Sequence, residues 1–446
     1  MRDETLLRQT DGSASEAEQK AMPEEKRIIG QVTRKLIPFL ILLYLVAYID
    51  RSTLGFAKLH MNADAGISDA AYGFGAGLFF IGYFLLEVPS NLLLTRFGAR
   101  RWFARILITW GLITVLMSLI RNPTSFYVLR FLLGAAEAGF FPGVLYFLTQ
   151  WFPVRHRARI IGTFILSQPI ALIITGPLAG GLLALEGWGG LHGWQWLFIV
   201  TGLPAMLLAW PTLKWLPDSP SQAKWLAPSD AQWLEAQLAQ DRQVHQPTQH
   251  GNPLHALKDR RVVWMAIYYL PFPLSIYGLS LWLPTIIKGF GVTDQMTGWL
   301  STVPYIFAAA GLWLVPRSAD RMNERYWHIA LVSLFGAFCL ALSAAFSTPL
   351  WQLLALSLTA FAAYSAQAVL WALPGRFLTG ASAAAGIAMI NAVGNLGGYL
   401  GPYAVGRIKE STGSMASALY FLAAVLATVS IMTFFVRRVI ERGPGR

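Results

Sequence analysis

Runs of apolar residues alternate with short polar gaps along most of the chain. A helix needs about 20 mostly apolar residues to cross the hydrocarbon core of a bilayer. Runs of that size occur six times before a polar stretch that reaches about residue 260, and six times after it. The predicted spans are residues 36–58, 71–94, 103–120, 126–150, 160–186, 192–215, 262–288, 296–316, 327–346, 350–372, 382–408 and 415–437.

The spans predict an all-α membrane protein with twelve transmembrane helices in two pseudo-symmetric six-helix bundles. Residues 151–155, followed by Gly176-Pro177, have a faint counterpart in residues 373–376, followed by Gly401-Pro402. Duplicated halves with a site between them recur among transporters. The predicted parts are a cytoplasmic tail over 1–35, a first bundle over 36–215, a cytoplasmic linker over 216–260, a second bundle over 261–438 and a cytoplasmic tail over 439–446.

The linker contains a predicted helix. Pro228 precedes Ser229, a helix-capping residue, and Gln232 follows at the spacing of a capping box. Apolar side chains recur on one face, which predicts a helix that lies on the membrane surface. These side chains are Trp225, Trp233, Leu234 and Leu238.

The composition agrees with a lipid environment. The chain has 446 residues, of which 55% are hydrophobic and 13% are charged, and its mean hydropathy is +0.48. A soluble globular protein carries roughly 25% charged residues. Cys339, the one cysteine, excludes an intrachain disulfide and is expected to be a packing residue.

The net charge of +12 comes mostly from arginines in the gaps between spans. Lys and Arg are retained on the cytoplasmic side of a membrane, and their segregation excludes nucleic acid as the partner they serve. We therefore expect a multi-pass protein of the inner (plasma) membrane with both termini and the linker in the cytoplasm. The basic residues on that side include Arg96, Arg100, Arg101, Arg105, Arg155, Arg157, Arg159, Arg317, Arg321, Arg325 and Arg376.

Five ionisable side chains fall inside the predicted spans. Asp50 and Arg51 are adjacent in helix 1, Glu87 lies in helix 2, and Arg130 and Glu137 lie two turns apart on one face of helix 4. Each charge costs at least about 2.5–3.5 kcal/mol at the middle of a membrane, so these residues are candidates for function. Asp50 and Arg51 could instead form a structural pair, Arg130 could extend to the headgroups, and Glu87 fits a structural or gating role.

Neutral polar side chains occur at a similar depth. Several together beside a guanidinium indicate a wet cavity rather than isolated helix–helix hydrogen bonds. They are Tyr83, Gln168, Tyr364, Ser365, Gln367, Trp371, Asn391 and Asn395.

A guanidinium in such a cavity favours an organic anion as the ligand, because its planar fork matches a carboxylate. Asp50 and Glu137 would repel this anion unless they were protonated. Burial favours the protonated acid and a neighbouring arginine favours the carboxylate, so the sequence leaves open which effect is larger. Protonation of either acid would let a proton and an anion travel together.

The chain from about residue 36 to 438 resembles the anion:cation symporter branch of the major facilitator superfamily. The resemblance rests on residues 44–57, which include Tyr48-Ile49-Asp50-Arg51-Ser52, on residues 80–91 and 130–143, and on Leu216-Pro217-Asp218-Ser219-Pro220. The similar proteins are permeases for tartrate, phthalate, galactonate and related acids. The resemblance implies proton-driven uptake of a small organic carboxylate by alternating access.

The resemblance also implies roles for particular residues. Asp50, Arg51 and Glu137 would bind substrate and carry protons, with Arg130 as the electrostatic partner of the acids. Residues matching the substrate pocket are Tyr48, Tyr83, Gln168, Trp371 and Asn391, with Asn395 one helical turn beyond Asn391. Ala and Leu around Trp371, where hydroxyls would suit a sugar acid, favour a less hydroxylated or aromatic acid.

One motif departs from the family pattern. The loop after helix 2 has Thr95 where an aspartate is usual, followed by Arg96 and Arg100, whereas the second half keeps Asp320-Arg321. The resemblance implies that these residues form a cytoplasmic gate. We expect the first copy of the gate to close with fewer charge contacts.

Three rival functions differ from this hypothesis. A facilitator or exchanger would use the same cavity without proton coupling, and a drug exporter would need a more apolar cavity. An enzyme would need a nucleophile or metal set, and the spans contain no His-x-x-x-His pair or clustered Asp and Cys. We therefore expect no enzymatic activity, no metal or other cofactor, and a monomer that works with an organic anion, protons and the lipid bilayer.

Overall fold

The computed structural model describes residues 2–244, 259–377 and 380–441, excluding the side chains of residues 2–23, 158, 242, 244, 376 and 380–385. Parts of the expected linker and carboxyl-terminal tail, residues 245–258 and 442–446, lie outside the described residues. Within these ranges the chain forms twelve spanning helices, some of them interrupted. They are α1 (Arg2–Asp64), α2 (Asp69–Phe97), α3 (Ala99–Met117), α4 (Pro123–Glu137 and Phe140–Thr149), α5 (Val154–Ile165 and Ser167–Leu183), α6 (Gly193–Trp215), α7 (Arg260–Tyr269, Pro271–Ser280 and Leu283–Lys288), α8 (Asp294–Arg321), α9 (Tyr326–Ala345), α10 (Pro349–Leu370), α11 (Gly380–Thr412) and α12 (Met415–Glu441).

The predicted fold class is confirmed. Ten of the twelve helices are long and apolar enough to cross a membrane when the described residues are considered. The other two are α3, which carries Arg100, Arg101 and Arg105 in its first turns, and α11, which is described only in part. Helix starts follow local capping chemistry, since Ser68, Asn122 and Thr293 each accept a hydrogen bond from the first turn of the helix that follows.

The helices form two halves that meet through a few pairs. In the first half α2 packs on α4 and α3 packs on α6; in the second half α8 packs on α10 and α9 packs on α12. The halves meet where α2 contacts α11 and α5 contacts α8. The pairing is pseudo-symmetric, and we call the region where the two halves face each other the space between the halves.

The two ends of this bundle differ. We call the end with the start of α1, the linker and the end of α12 the terminal face, and the opposite end, with Asp64 and Asp69, the far face. Near the far face the halves touch backbone to backbone, because Gly176 packs on Gly298 and Gly73 packs on Pro402. Toward the terminal face the second half of α2 is largely exposed. The space between the halves is therefore closed at the far face and open at the terminal face.

An ion-pair cluster reinforces the closed far face. Asp69 of α2 binds Lys58 of α1 at 2.9 Å and Lys409 of α11 at 2.8 Å. The two ammonium groups lie 4.3 and 5.3 Å from the ring centroid of Trp282 in α7. We call these four residues the Asp69 cluster, and it joins both halves across the far face. The carboxylate of Glu410, also in α11, accepts the backbone N–H of Ala70 at 2.7 Å.

The start of α1 packs against the linker on the terminal face. The chain expected to be a tail continues α1, and Ile28 and Val32 within it are buried. The guanidinium of Arg27 donates to both carboxylate oxygens of Asp230 at 2.9 and 2.7 Å. This extension of α1 therefore fixes the linker to the first half.

The predicted linker helix is present (Pro228–Val244), but it begins before Ser229, which lies in its first turn rather than at its cap. The prediction that its apolar face lies on the membrane surface is wrong. Leu234 and Leu238 are buried within the protein, and the ring of Trp225 stacks on that of Trp151 at 5.8 Å. These side chains contact the first half, which removes them from water without lipid.

Candidate functional site

A buried ion pair lies at the middle of the first half. The Nε and Nη2 groups of Arg51 in α1 both contact Oε1 of Glu137 in α4, at 2.7 and 2.6 Å. The side chain of Arg51 is 17% exposed and that of Glu137 is 0% exposed. The other carboxylate oxygen of Glu137 is buried without a hydrogen-bond partner in the described structure. The pair thus joins a partly exposed arginine side chain to a buried acid that has one unsatisfied oxygen.

The chain breaks next to Glu137 and so fixes its position. The first part of α4 ends at this residue, and Gly139 adopts φ 85°, a left-handed conformation that suits glycine. Helix resumes at Phe140, with Pro142 in the first turn, where its missing N–H has no helical partner to lose. Glu137 therefore lies at an interruption of a spanning helix, a position where polar groups are often used in transporters.

Aromatic rings surround the guanidinium of Arg51. Its Cζ lies 5.1, 5.3 and 5.6 Å from the ring centroids of Phe79, Tyr83 and Tyr48. Rings at this distance attract a cation through their quadrupole, and more strongly when water is excluded. These contacts help to hold a charge at mid-membrane depth without committing its remaining N–H groups.

Asp50 does not share this site with Arg51. Its Oδ2 accepts hydrogen bonds from Trp110 at 2.6 Å and Thr114 at 2.8 Å, and its Oδ1 accepts one from Thr201 at 3.2 Å. These partners belong to α3 and α6, away from the space between the halves. Successive residues of a helix point about 100° apart, so the two neighbours face different surroundings. Asp50 is thus held within the first half by Trp110 and Thr114, with the Thr201 hydroxyl shared between Asp50 and the backbone oxygen of Leu197.

Arg130 is buried and does not reach the headgroups. Its Nη2 donates to the backbone oxygen of Ala76 at 3.1 Å, and its Cζ lies 4.9 Å from the ring centroid of Phe79. Among the described residues it forms no ion pair within 4 Å, although it interacts electrostatically with Asp50 and Glu137. Phe79 thus separates two guanidinium groups, Arg51 on one side and Arg130 on another.

The predicted polar residues divide between the two halves. Gln168 of α5 donates to the hydroxyl of Tyr48 at 2.6 Å, beside Arg51. The side chains of Glu87 in α2 and Asn391 in α11 lie close enough to interact across the space between the halves. Asn395 is half-buried one turn further along α11.

The second half contributes a separate aromatic group. The ring of Trp371, at the end of α10, makes an edge contact with Tyr269 of α7 at 4.8 Å. Gln367 donates to the hydroxyl of Tyr269 at 2.9 Å. Trp371 therefore lies with other second-half residues rather than beside Arg51.

Tyr277 of α7 was not singled out in the sequence. It interacts electrostatically with Arg51 and with Tyr48, and its ring lies 4.6 Å from that of Phe80 in α2. Among the described residues, Tyr277 is thus a second-half side chain that lies near the Arg51 site. No sequence signal distinguishes it from other membrane tyrosines, because its position depends on how the halves pack.

The predicted gate residues lie on the open terminal face. Among the described side chains Arg96, Arg100 and Arg321 form no ion pair, and Asp320 pairs with Arg325 of its own half at 3.1 Å. The backbone N–H of Arg100 donates to the carboxylate of Asp218 at 2.9 Å. In the first half, the loop before α3 has Thr95 in place of the usual aspartate. The linker residue Asp218 thus supplies a carboxylate at the start of α3.

Comparison with known proteins agrees with this architecture. Residues 40–402 match the Major Facilitator Superfamily model. The chain is 61% identical to a quinolone resistance transporter of Acinetobacter baumannii, over 94% of this chain and 97% of that protein. It is 42% identical to a putative tartrate transporter of Agrobacterium vitis, over 95% and 97% of the two chains.

A solved structure shows the same fold at low sequence identity. It is a bacterial homologue of the human lysosomal transporter Spinster, in an inward-facing and unoccupied conformation, with a TM-score of 0.74 and 18% identity. The alignment covers 94% of this chain and all of that one. The resemblance to anion:cation symporters is confirmed by relatives with tartrate-transporter names. The chain belongs to the Major Facilitator Superfamily and is a multi-pass membrane transporter, not an enzyme.

Proposed function

We propose that this transporter takes up a small organic carboxylate together with protons, by alternating access. The observation that carries the proposal is the Arg51–Glu137 pair, in which a partly exposed arginine side chain is held by a fully buried acid with one oxygen unsatisfied. An arginine with uncommitted N–H groups suits a carboxylate ligand.

Exchange of partners would couple the anion to the proton. A substrate carboxylate that binds the remaining N–H groups of Arg51 would draw the guanidinium away from Glu137. Glu137 would then be a buried carboxylate without its ion pair, a state that costs several kcal/mol. Taking up a proton removes that cost. Substrate and proton are thus favoured together, and the site returns to the ion pair after both leave.

Asp50 is a weaker candidate for this proton. Its carboxylate already accepts three hydrogen bonds and has no access to the space between the halves. We propose that Asp50 positions α1 against α3 and α6, and that its charge balances Arg130 through the electrostatic interaction between them.

The distribution of arginines supports an orientation in the membrane. Arg96, Arg101, Arg155 and Arg317 all lie toward the terminal face, as expected for a cytoplasmic surface. With that face in the cytoplasm of an inner membrane, the conformation described is open inward. Closing it would bring Arg96, Arg100, Asp320 and Arg321 together as a cytoplasmic gate.

An exchanger without proton coupling is the alternative for the same cavity. It would move one carboxylate for another on Arg51 while Glu137 remained charged. Acidification inside vesicles when substrate is added outside would support symport, and its absence during measurable exchange would support the alternative.

Export of a drug is a second candidate, favoured by the 61% identity to a quinolone resistance transporter. Quinolones are themselves aromatic carboxylates, so the same arginine could bind them. Expression of this chain in a drug-sensitive bacterium tests this function. A rise in the quinolone concentration needed to stop growth, lost in Arg51→Gln, would favour export.

Proteoliposomes test the uptake proposal directly. Purified protein would be assayed with radiolabelled benzoate, tartrate and galactonate, with and without an inward proton gradient. We expect gradient-driven accumulation of at least one acid, its loss in Arg51→Gln, and exchange without gradient-driven accumulation in Glu137→Gln. The matched control is Arg317→Gln, which replaces an exposed arginine on the terminal face. Normal uptake by Arg51→Gln would refute the assigned site.

A further inference from the structure

The walls facing Arg51 are mostly aromatic. In the first half, Tyr48, Phe79 and Tyr83 surround its guanidinium. In the second half, Tyr277 faces the same group, and Tyr269 lies close enough to interact with Tyr277. A ligand held by Arg51 would therefore be bordered by ring faces and phenol edges from both halves.

Two of the amide groups near this space are already paired within the protein. The side-chain nitrogen of Gln168 donates to Tyr48 at 2.6 Å, and that of Gln367 donates to Tyr269 at 2.9 Å. A polyhydroxylated acid needs a free partner for each buried hydroxyl, because an unpaired buried hydroxyl is costly. These amides would have to give up protein partners to serve such a ligand.

A mostly apolar recess lies in the second half near Tyr277. Leu279, Tyr305, Ala360 and Tyr364 are among its lining residues. Tyr364 interacts electrostatically with Tyr277, which places the recess beside the residue that faces Arg51. Ser275, Ser280 and Thr359 also line the recess, but apolar and aromatic side chains form most of it, so the second half offers a mainly apolar surface.

We propose that the substrate is an aromatic carboxylate, with its carboxylate on Arg51 and its ring against Tyr277 of the second half. This inference rests on the proposed function, since it takes Arg51 as the carboxylate site. The contact of Tyr277 with Phe80, at 4.6 Å between ring centroids, joins the halves on the far-face side of that position. Tyr277 is thus a specificity-determining residue that bounds the site where the halves meet.

Binding to purified wild-type protein in detergent, measured by calorimetry, tests the substrate class. The probes are benzoate, cyclohexanecarboxylate, galactonate and tartrate, which share a carboxylate and differ in the rest. Contact between a ring and aromatic side chains predicts that benzoate binds roughly three- to tenfold more tightly than cyclohexanecarboxylate. We expect galactonate and tartrate to bind more weakly than both.

Variants of Tyr277 assign the preference to its ring. Tyr277→Leu should lose the advantage of benzoate over cyclohexanecarboxylate, and Tyr277→Phe should retain it. Tyr420→Leu, at an exposed tyrosine on α12, is the matched control. An unchanged preference in a folded Tyr277→Leu protein would overturn the assignment to this residue.

The outcomes separate this inference from the function it rests on. Tighter, Arg51-dependent binding of galactonate or tartrate would overturn the aromatic class and leave carboxylate transport standing. If Arg51→Gln leaves the binding of every acid unchanged, or if no acid binds, both the aromatic class and carboxylate transport are overturned.

Discussion

Replacing Asp69 by asparagine should release the far face. The side chain keeps its size but loses the charge that Lys58 and Lys409 share at 2.9 and 2.8 Å. The two ammonium groups then lie near one ring, that of Trp282, without this carboxylate between them. Their repulsion favours separation of the halves at this face.

The size of the effect follows from burial. Exposed ion pairs contribute about 0–1 kcal/mol, and removing one partner of a buried pair costs about 3–5 kcal/mol. Asp69 and Lys409, which pair across the halves, are 26% and 24% exposed, which places the cluster between these cases. We expect a shift of about 2 kcal/mol, or roughly thirtyfold in the ratio of far-face-open to far-face-closed molecules.

Distances between spin labels can measure that ratio. Cys339→Ser gives a cysteine-free background, because the chain has one cysteine. Spin labels would be attached at Arg121→Cys and Ser347→Cys, in exposed far-face loops of the two halves. In Asp69→Asn we expect a larger fraction of molecules to show a longer distance between the two labels than in the protein with Asp69.

Asp259→Asn is the matched control for this measurement. It breaks an ion pair with Arg261 at 2.8 Å, but that pair lies within one half. An unchanged distance distribution in Asp69→Asn, or an equal shift in Asp259→Asn, would refute the reasoning.

Three further predictions concern stability. Asp50→Asn should lower the free energy of unfolding by about 1–3 kcal/mol, because a neutral amide oxygen is a weaker acceptor than a carboxylate for the buried Trp110 and Thr114 donors. The proton dependence of uptake should stay unchanged, and its loss would contradict the assignment of the proton to Glu137. Gly134→Ala should cost about 1–3 kcal/mol in a melting assay, since its Cβ would strike the backbone of α2, whereas Gly181→Ala, with open space, should be neutral. The exposed His192 has a pKa raised above its ordinary 6.5 by a hydrogen bond to Glu186. This interaction therefore stabilises the fold below pH 6.5, and the stabilisation is lost as pH rises through the raised pKa. A difference in melting temperature between wild type and His192→Gln that grows from pH 6 to pH 8 would contradict this.

Much of the fold follows from the sequence because lipid imposes simple rules. Each span must be apolar and helical, so run lengths alone place all twelve helices to within a few residues at most ends. The expense of charges in lipid also marks Arg51 and Glu137 as candidates from the sequence alone. The α1 extension was missed because it mixes polar residues with a few apolar ones, such as Ile28 and Val32, whose burial depends on packing against other parts of the first half.

The arrangement of the site was harder to predict. Adjacency suggested that Asp50 and Arg51 act together, but the helical rotation between neighbours directs Asp50 toward Trp110 and Arg51 toward Glu137. The role of Tyr277 depends on contact between halves that are far apart in sequence. Local patterns carry no information about such contacts.

The exchange of partners by Arg51 can be tested by counting protons during binding. The acid that binds most tightly among benzoate, galactonate and tartrate would be added to protein in weakly buffered detergent solution with a pH-sensitive dye. We predict uptake of about one proton per bound acid in wild type and none in Glu137→Gln, which should still bind the acid. Equal proton uptake by both proteins, or none by wild type despite binding, would contradict the account.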